Sequence, residues 1–171
     1  HRIAHLVENK GVKPWSILAI TFTNKAAKEM KERIGNLVAE DAVNEMWVST
    51  FHSMCVRILR RYGERLGYSR FFTIYDTSDQ KTLIKDTLKA LDISEKNFPV
   101  GTVMGAISSK KNKLETPKLA IMNAGDDYRE KMLAKIYEKY QGKLKENNAM
   151  DFDDLLVNTY LLFKECPDVL D

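Results

Sequence analysis

The chain is poor in the residues that most often carry catalysis. Its 171 residues include two cysteines and three histidines. Cys55 and Cys166 lie far apart, neither has a metal-ligand neighbour at a useful spacing, and both read as reduced thiols, Cys55 as a small core residue. His1, His5 and His52 cannot be assembled with a nucleophile and an orienting carboxylate, so neither a catalytic residue nor a metal ligand is expected in this chain. No G-x-x-x-x-G-K-[ST] sequence occurs, which leaves nothing visible to cradle a triphosphate. No apolar run approaches membrane-spanning length, and nothing at the start resembles a signal peptide. Repeats, low-complexity tracts and long linkers are also missing. The first residue is His1 rather than Met, which raises the expectation of a piece of a longer protein.

What is present fits one soluble domain, or one domain carrying an insertion, with enough length for a real core. The net charge of +3 is too small to prove a polyanionic partner, so any basic surface has to come from local clustering.

The most informative stretch runs from Ile17 to Val38. Ile17-Leu18-Ala19-Ile20 is a short continuous apolar run, as expected of a strand covered on both faces. Ala26, Ala27, Met30, Ile34 and Leu37 then recur at helical spacing. Between them lies a polar joint, Thr21-Phe22-Thr23-Asn24-Lys25, at the edge of an α/β sheet where helix N-termini present free N–H groups. An aromatic, two hydroxyls, an amide and a lysine suit contact with phosphate and base. A strand end with a threonine cap and a core phenylalanine is the plainer reading.

A second strand at Met46 to Thr50 should lie parallel to the first. The next helix has the apolar stripe Phe51, Met54, Cys55, Ile58, Leu59 and Tyr62, with Ser49 or Thr50 as cap. Its other positions carry Arg57, Arg60, Arg61 and Arg65 against Glu64, which reads equally as a solvated face or a phosphate-binding one. His52 sits one turn from the strand edge, in the same layer as Phe22.

Beyond Gly67 the pattern becomes helical. Phe72 to Tyr75 is strand-like, Asp76 to Ser78 supplies cap residues, and Leu83, Ile84, Leu88 and Leu91 mark a helix; Pro99 opens another with Val103, Met104 and Ile107 inward. The second of these ends in Ser108-Ser-Lys-Lys-Asn-Lys113 and a turn at Pro117, where lysines complement the helix dipole or reach a duplex backbone. Asp126 to Asn147 is the longest helical pattern, and its tyrosines read as core. Asp151 caps a last helix through Leu155, Leu156, Tyr160 and Phe163 up to Pro167, and the acids Asp151, Asp153 and Asp154 suit a helix start better than a metal site.

Two blocks, Ala19-Ile-Thr-Phe-Thr-Asn-Lys-Ala-Ala27 and Ser49-Thr-Phe-His-Ser-Met-Cys55, resemble signature motifs of the UvrD/PcrA/Rep group of superfamily 1 DNA helicases, most strongly the PcrA type. Asp151-Phe-Asp-Asp-Leu155 resembles the segment in which those proteins re-enter the first motor domain after a helical insertion. The resemblance implies a RecA-like (P-loop NTPase) α/β parallel sheet with a predominantly helical inserted subdomain. Residues 1–66 would belong to the first motor domain, 67–148 to the insertion and 149–171 to the return. It implies ATP and Mg2+ as cofactors of the complete protein, a second motor domain as partner, and 3′-to-5′ movement on single-stranded DNA toward a single/double-strand junction in a bacterial cytoplasm. No cofactor-binding residue is expected here, because the phosphate loop is missing and the acidic motif comes after the last residue. Phe22 matches the aromatic that meets a base, with Thr23 and Asn24 as backbone contacts and Lys25 beside them; Thr50 and His52 match contacts of the next motif. Lys111 falls where a duplex-contacting lysine is expected, with Lys110 or Lys113 as alternatives in register. A helicase subunit of a recombination nuclease and a non-catalytic DNA-binding module are the rival readings.

Overall fold

The computed structural model describes residues 1–170, in which helices dominate and the strands form two separate parallel pairs. The chain divides into two compact units, residues 1–57 and residues 58 onward. The α/β character holds, but the described residues do not by themselves build a wider RecA-like sheet.

In the first unit, α1 (Arg2–Ala4) continues into a π-helical turn, His5–Asn9. Gly11, at φ +64°, takes the left-handed conformation that reverses the chain, and the Val12 N–H donates to the Leu6 carbonyl at 2.9 Å. Strand β1 (Leu18–Thr21) runs into α2 (Asn24–Gly35). A short helix that periodicity did not announce, α3 (Glu40–Glu45), carries Glu40 and Asp41 in its first turn, where the dipole favours acids. Strand β2 (Trp47–Thr50) then pairs with β1 in parallel, Leu18 opposite Trp47 through Thr21 opposite Thr50. Ile34, Val38, Val43 and Met46 form the core, with Ile3, Val7, Ile17, Met30 and Val48 packed on it. Strand β1 is not covered on both faces as its sequence suggests, since Leu18 is 49% exposed.

Helix α4 (Phe51–Tyr62) crosses the division between the units. In the second unit a 3-10 turn, Gly63–Leu66, leads to β3 (Thr73–Ile74) and α5 (Thr77–Ala90). The N-terminus of α5 is closed by a capping box in which Asp76 and Asp79 each accept the other's backbone N–H. Helix α6 (Val100–Asn112) follows Pro99. Pro117 opens a helix rather than a simple turn: α7 (Pro117–Asn123) has Thr116 as cap and proline in its first position, where a missing N–H costs nothing. Helix α8 (Tyr128–Glu146) buries Leu133, Ile136, Tyr137, Tyr140 and Leu144, so its aromatic stripe is core.

Strand β4 (Ala149–Met150) pairs in parallel with β3, and α9 (Phe152–Glu165) packs against α6. The segment from 149 therefore pairs and packs within the second unit. Its buried face is Leu155, Asn158, Thr159 and Leu162, while Leu156 and Tyr160 are exposed.

Candidate nucleic-acid interface

The joint after β1 is ordered by its own hydroxyls. Thr23 is extended and caps α2, its Oγ1 accepting the Ala26 N–H at 3.1 Å, while the Thr21 hydroxyl donates to the Thr23 carbonyl at 3.1 Å. With both threonines engaged, Phe22 is turned outward and is 89% exposed. Asn24 and Lys25 are exposed in the first turn of α2.

The tip of β2 repeats this construction beside it. Thr50 lies directly opposite Thr21 and is buried; its Oγ1 accepts the Ser53 N–H at 3.2 Å and donates to the Ser53 hydroxyl at 2.9 Å. This cap starts α4 with Phe51 and His52 exposed. The Phe51 ring stands 5.4 Å from that of Phe22, tilted by 47°, a spacing typical of aromatic pairs. The parallel register thus brings Phe22, Thr23, Asn24, Lys25, Thr50 and His52 to one sheet edge. Phe51 was missed as a member because its position also satisfies the apolar stripe of α4; its place directly after a strand tip, like Phe22, was the available signal.

Three arginines of α4 and of the Gly63–Leu66 turn after it make contacts within the protein. Arg57 lies over the Trp47 ring at 4.0 Å and Arg60 over the Phe72 ring at 3.9 Å. Arg60 also donates to the carbonyls of Arg70 and Phe72. Arg65 donates to both carboxylate oxygens of Asp168 at 2.7 Å. These three arginines hold rings, a loop and a carboxylate, while Arg57, Arg61 and Arg65 stay exposed and Arg60 is half-buried, as a solvated face expects.

The lysine block of α6 divides sharply. Lys110 pairs with Glu130 at 3.0 Å and more loosely with Glu115 at 3.8 Å. Lys111, the expected duplex contact, is only 2% exposed, its Nζ lying 2.6 Å from Asp151 Oδ2 and 2.9 Å from Asp154 Oδ1. A buried ammonium with two carboxylates has no surface to offer a ligand, so Lys111 is corrected to a core cation; Lys113 is the exposed lysine of the block.

The same two acids form the capping box of α9, each accepting the other's backbone N–H, at 2.9 and 3.1 Å. The Tyr140 hydroxyl donates to Asp151 at 2.9 Å and the Gln141 amide to Asp154 at 3.0 Å. Burial, followed by Asp151, drives the Tyr140 phenol well above its ordinary range. Burial pushes the Asp154 carboxyl up to about 6, against the opposing pull of Lys111. Among the described residues no group of histidines, cysteines and acids is arranged to hold a metal ion.

The sequence model of the UvrD/REP helicase N-terminal domain matches residues 1–171, and the chain belongs to that family. It is similar to the ATP-dependent DNA helicase PcrA of Staphylococcus epidermidis, 53% identical over 171 residues, which are 100% of this chain and 23% of the relative. PcrA of Staphylococcus aureus matches at the same identity and coverage. The chain therefore spans about a quarter of the length of the curated relatives it matches.

Two outcomes follow from the buried cation. Lys111→Met leaves two carboxylates together in the core, and urea unfolding should show a loss of about 3–5 kcal/mol; a loss under about 1 kcal/mol would mean the triad is not fully formed. The pH dependence has a definite sign. Because the folded-state pKa of Asp154 is raised, the folded chain holds its proton more tightly than the unfolded chain does. Its contribution to stability is present below the unfolded value near 3.8 and falls as pH rises toward about 6. The stability of the parent chain relative to Asp154→Asn should therefore decline across that window and level off above it, as measured by urea titrations at stepped pH.

Proposed function

We propose that this chain belongs to the first motor domain and helical insertion of an ATP-dependent DNA helicase that moves 3′ to 5′ on single-stranded DNA. The observation that carries the reading is the side-by-side placement of the two strand tips, with Phe22 outward next to Phe51. The 53% identity to proteins named PcrA along the whole chain supports this group over the helicase subunit of a recombination nuclease or a non-catalytic DNA-binding module.

In this reading the strand lies across the sheet edge. Phe22 offers its face to a base, and Phe51 supports the ring from the side. Stacking of this kind tolerates any sequence, as a translocating protein requires. Thr23, Asn24, Lys25, Thr50 and His52 then line the phosphate path. Thr50 acts mainly by fixing the start of α4, since its hydroxyl is already engaged with Ser53. The duplex ahead meets Lys110 and Lys113 in the insertion, with the junction between single and double strand as the target.

The family path would assign residues 1–66 and 149–171 to a RecA-like motor domain and 67–148 to the insertion. ATP and Mg2+ would be held by the complete protein between this domain and a second motor domain, in a bacterial cytoplasm, in the service of DNA repair or replication.

Two measurements test the proposal. A fluorescently labelled oligo-dT should bind the chain weakly and lose affinity as salt rises, because phosphate contacts release counterions. Phe22→Ala should weaken binding by about 5- to 150-fold, the equivalent of ~1–3 kcal/mol of stacking, and superimposable anisotropy curves would remove Phe22 from the interface. The chain by itself should release no phosphate from ATP above the blank. Turnover that disappears on changing a residue within the chain would show a nucleotide site that the reading lacks.

A further inference from the structure

A second outward aromatic stands in the second unit, in the loop from Gly67 to Phe72 that feeds β3. Phe71 is 80% exposed, whereas its neighbours Tyr68 and Phe72 are buried. One exposed phenylalanine is ordinary on a protein surface and calls for no explanation alone. The way this one is held is less ordinary.

The loop is fixed from three directions. Gly67 turns the chain at φ +79°, and Lys145 fastens that turn by donating to the Leu66 carbonyl at 2.7 Å while its ammonium lies 3.5 Å over the Tyr68 ring. Asn148 clasps Ser69 twice, accepting its N–H at 3.0 Å and donating to its hydroxyl at 2.8 Å. The same hydroxyl accepts the Phe71 N–H at 3.2 Å. Arg60 reaches from α4 to the carbonyls on either side of Phe71, those of Arg70 and Phe72. The backbone is thus ordered before any ligand arrives, which removes an entropic cost of binding. At its tip the Arg70 guanidinium lies 5.4 Å from the Phe71 ring.

Charge indicates the kind of occupant. Arg60, Arg61, Arg65, Arg70, Lys143 and Lys145 belong to this loop and the elements that hold it, against Glu64, the Glu146 that Lys143 engages and the Asp168 carboxylate that Arg65 engages. An open ring beside an arginine, in a basic setting, matches an unpaired base and its phosphate: the ring stacks on the base and the planar guanidinium pairs with the phosphate. An acidic protein segment would meet the charge but leave the ring with no flat partner.

We propose that Phe71 and Arg70 form a second nucleotide-stacking site, on the unit beginning at residue 58, that takes an unpaired nucleotide independently of the Phe22 and Phe51 edge. It rests on the reading of the chain as a single-strand binder, and adds a contact to it.

The test uses the whole chain and oligo-dT, by anisotropy, with four variants: Phe22→Ala, Phe71→Ala, Phe71→Trp and Arg70→Gln. Phe71→Ala should weaken binding about fivefold or more with an unchanged melting profile, Phe71→Trp should restore it, and Arg70→Gln should reduce the salt dependence. An oligomer of abasic sites should bind the parent and Phe71→Ala equally. If Phe71→Ala binds oligo-dT like the parent while Phe22→Ala loses affinity, the second site is overturned and the first reading stands. If only Phe71→Ala loses affinity, the second site stands and the first reading fails. Unchanged binding in both removes both. Poly-glutamate that competes with oligo-dT at equal charge for the parent but not for Phe71→Ala would assign the loop to an acidic protein segment and overturn the proposal.

Discussion

The parallel register of β1 and β2 is the constraint on which the candidate interface depends. Because Thr21 stands opposite Thr50, the residues that leave the two strands, Phe22 and Phe51, emerge at the same level of one edge. A slip of one residue in either strand would invert its side chains and separate the two caps. The rest follows locally: each strand ends in a threonine whose hydroxyl is satisfied within three residues, so the chain commits to a helix at once and the intervening aromatic has little choice but to face outward. The bonds that make the joint rigid are short-range, whereas those that make it a shared track come from the strand pairing.

The second unit is tied together by an opposite device, a cation and two carboxylates withdrawn from water. A buried ion pair gives back little more than its desolvation costs, so its value lies in what happens when the partners are misplaced. Lys111 comes from the last turn of α6, while Asp151 and Asp154 begin α9, and only one placement of those helices satisfies all three charges together with the capping box. The acids that cap α9 therefore also fix where α6 ends, and Tyr140 and Gln141 bring α8 into the same arrangement. Lys110, one residue earlier, is left at the half-buried rim of this lock with Glu130 and Glu115, and any role it has in binding must compete with those partners.

What could be read from the sequence follows the range of the interactions involved. The caps at Asp76 and Asp151 and the core stripes of α5 and α8 were legible, because each is decided within one or two helical turns. Helices α3 and α7 were not, since six and seven residues are too few for periodicity to emerge. Strand β4 has two residues and exists only through its pairing with β3. The site shows the same division. The joint around Phe22 announced itself, but a lysine in a polar run at a helix end looks solvated until acids 40 and 43 residues away close over it. The arginines of α4 and of the turn after it were visibly off the apolar stripe, yet nothing local predicted that Trp47, Phe72 and Asp168 would take three of them.

That use of arginine changes where binding affinity would have to come from. A helix of free arginines would hold a polyanion by charge alone, with a grip that salt weakens uniformly along its length. Here Arg57 and Arg60 lie on rings, and Arg60 additionally shapes the loop that carries Phe71. Their positive potential remains, but their geometry is committed to the protein, so in the proposed reading they would attract a strand without fixing its position. In the proposed reading, position would then fall to the aromatics, which would hold a base by area and be indifferent to which base it is. For the stepwise movement proposed above, such an arrangement would serve better than a row of strong ion pairs, because a stacked base can leave its ring without leaving a buried charge behind.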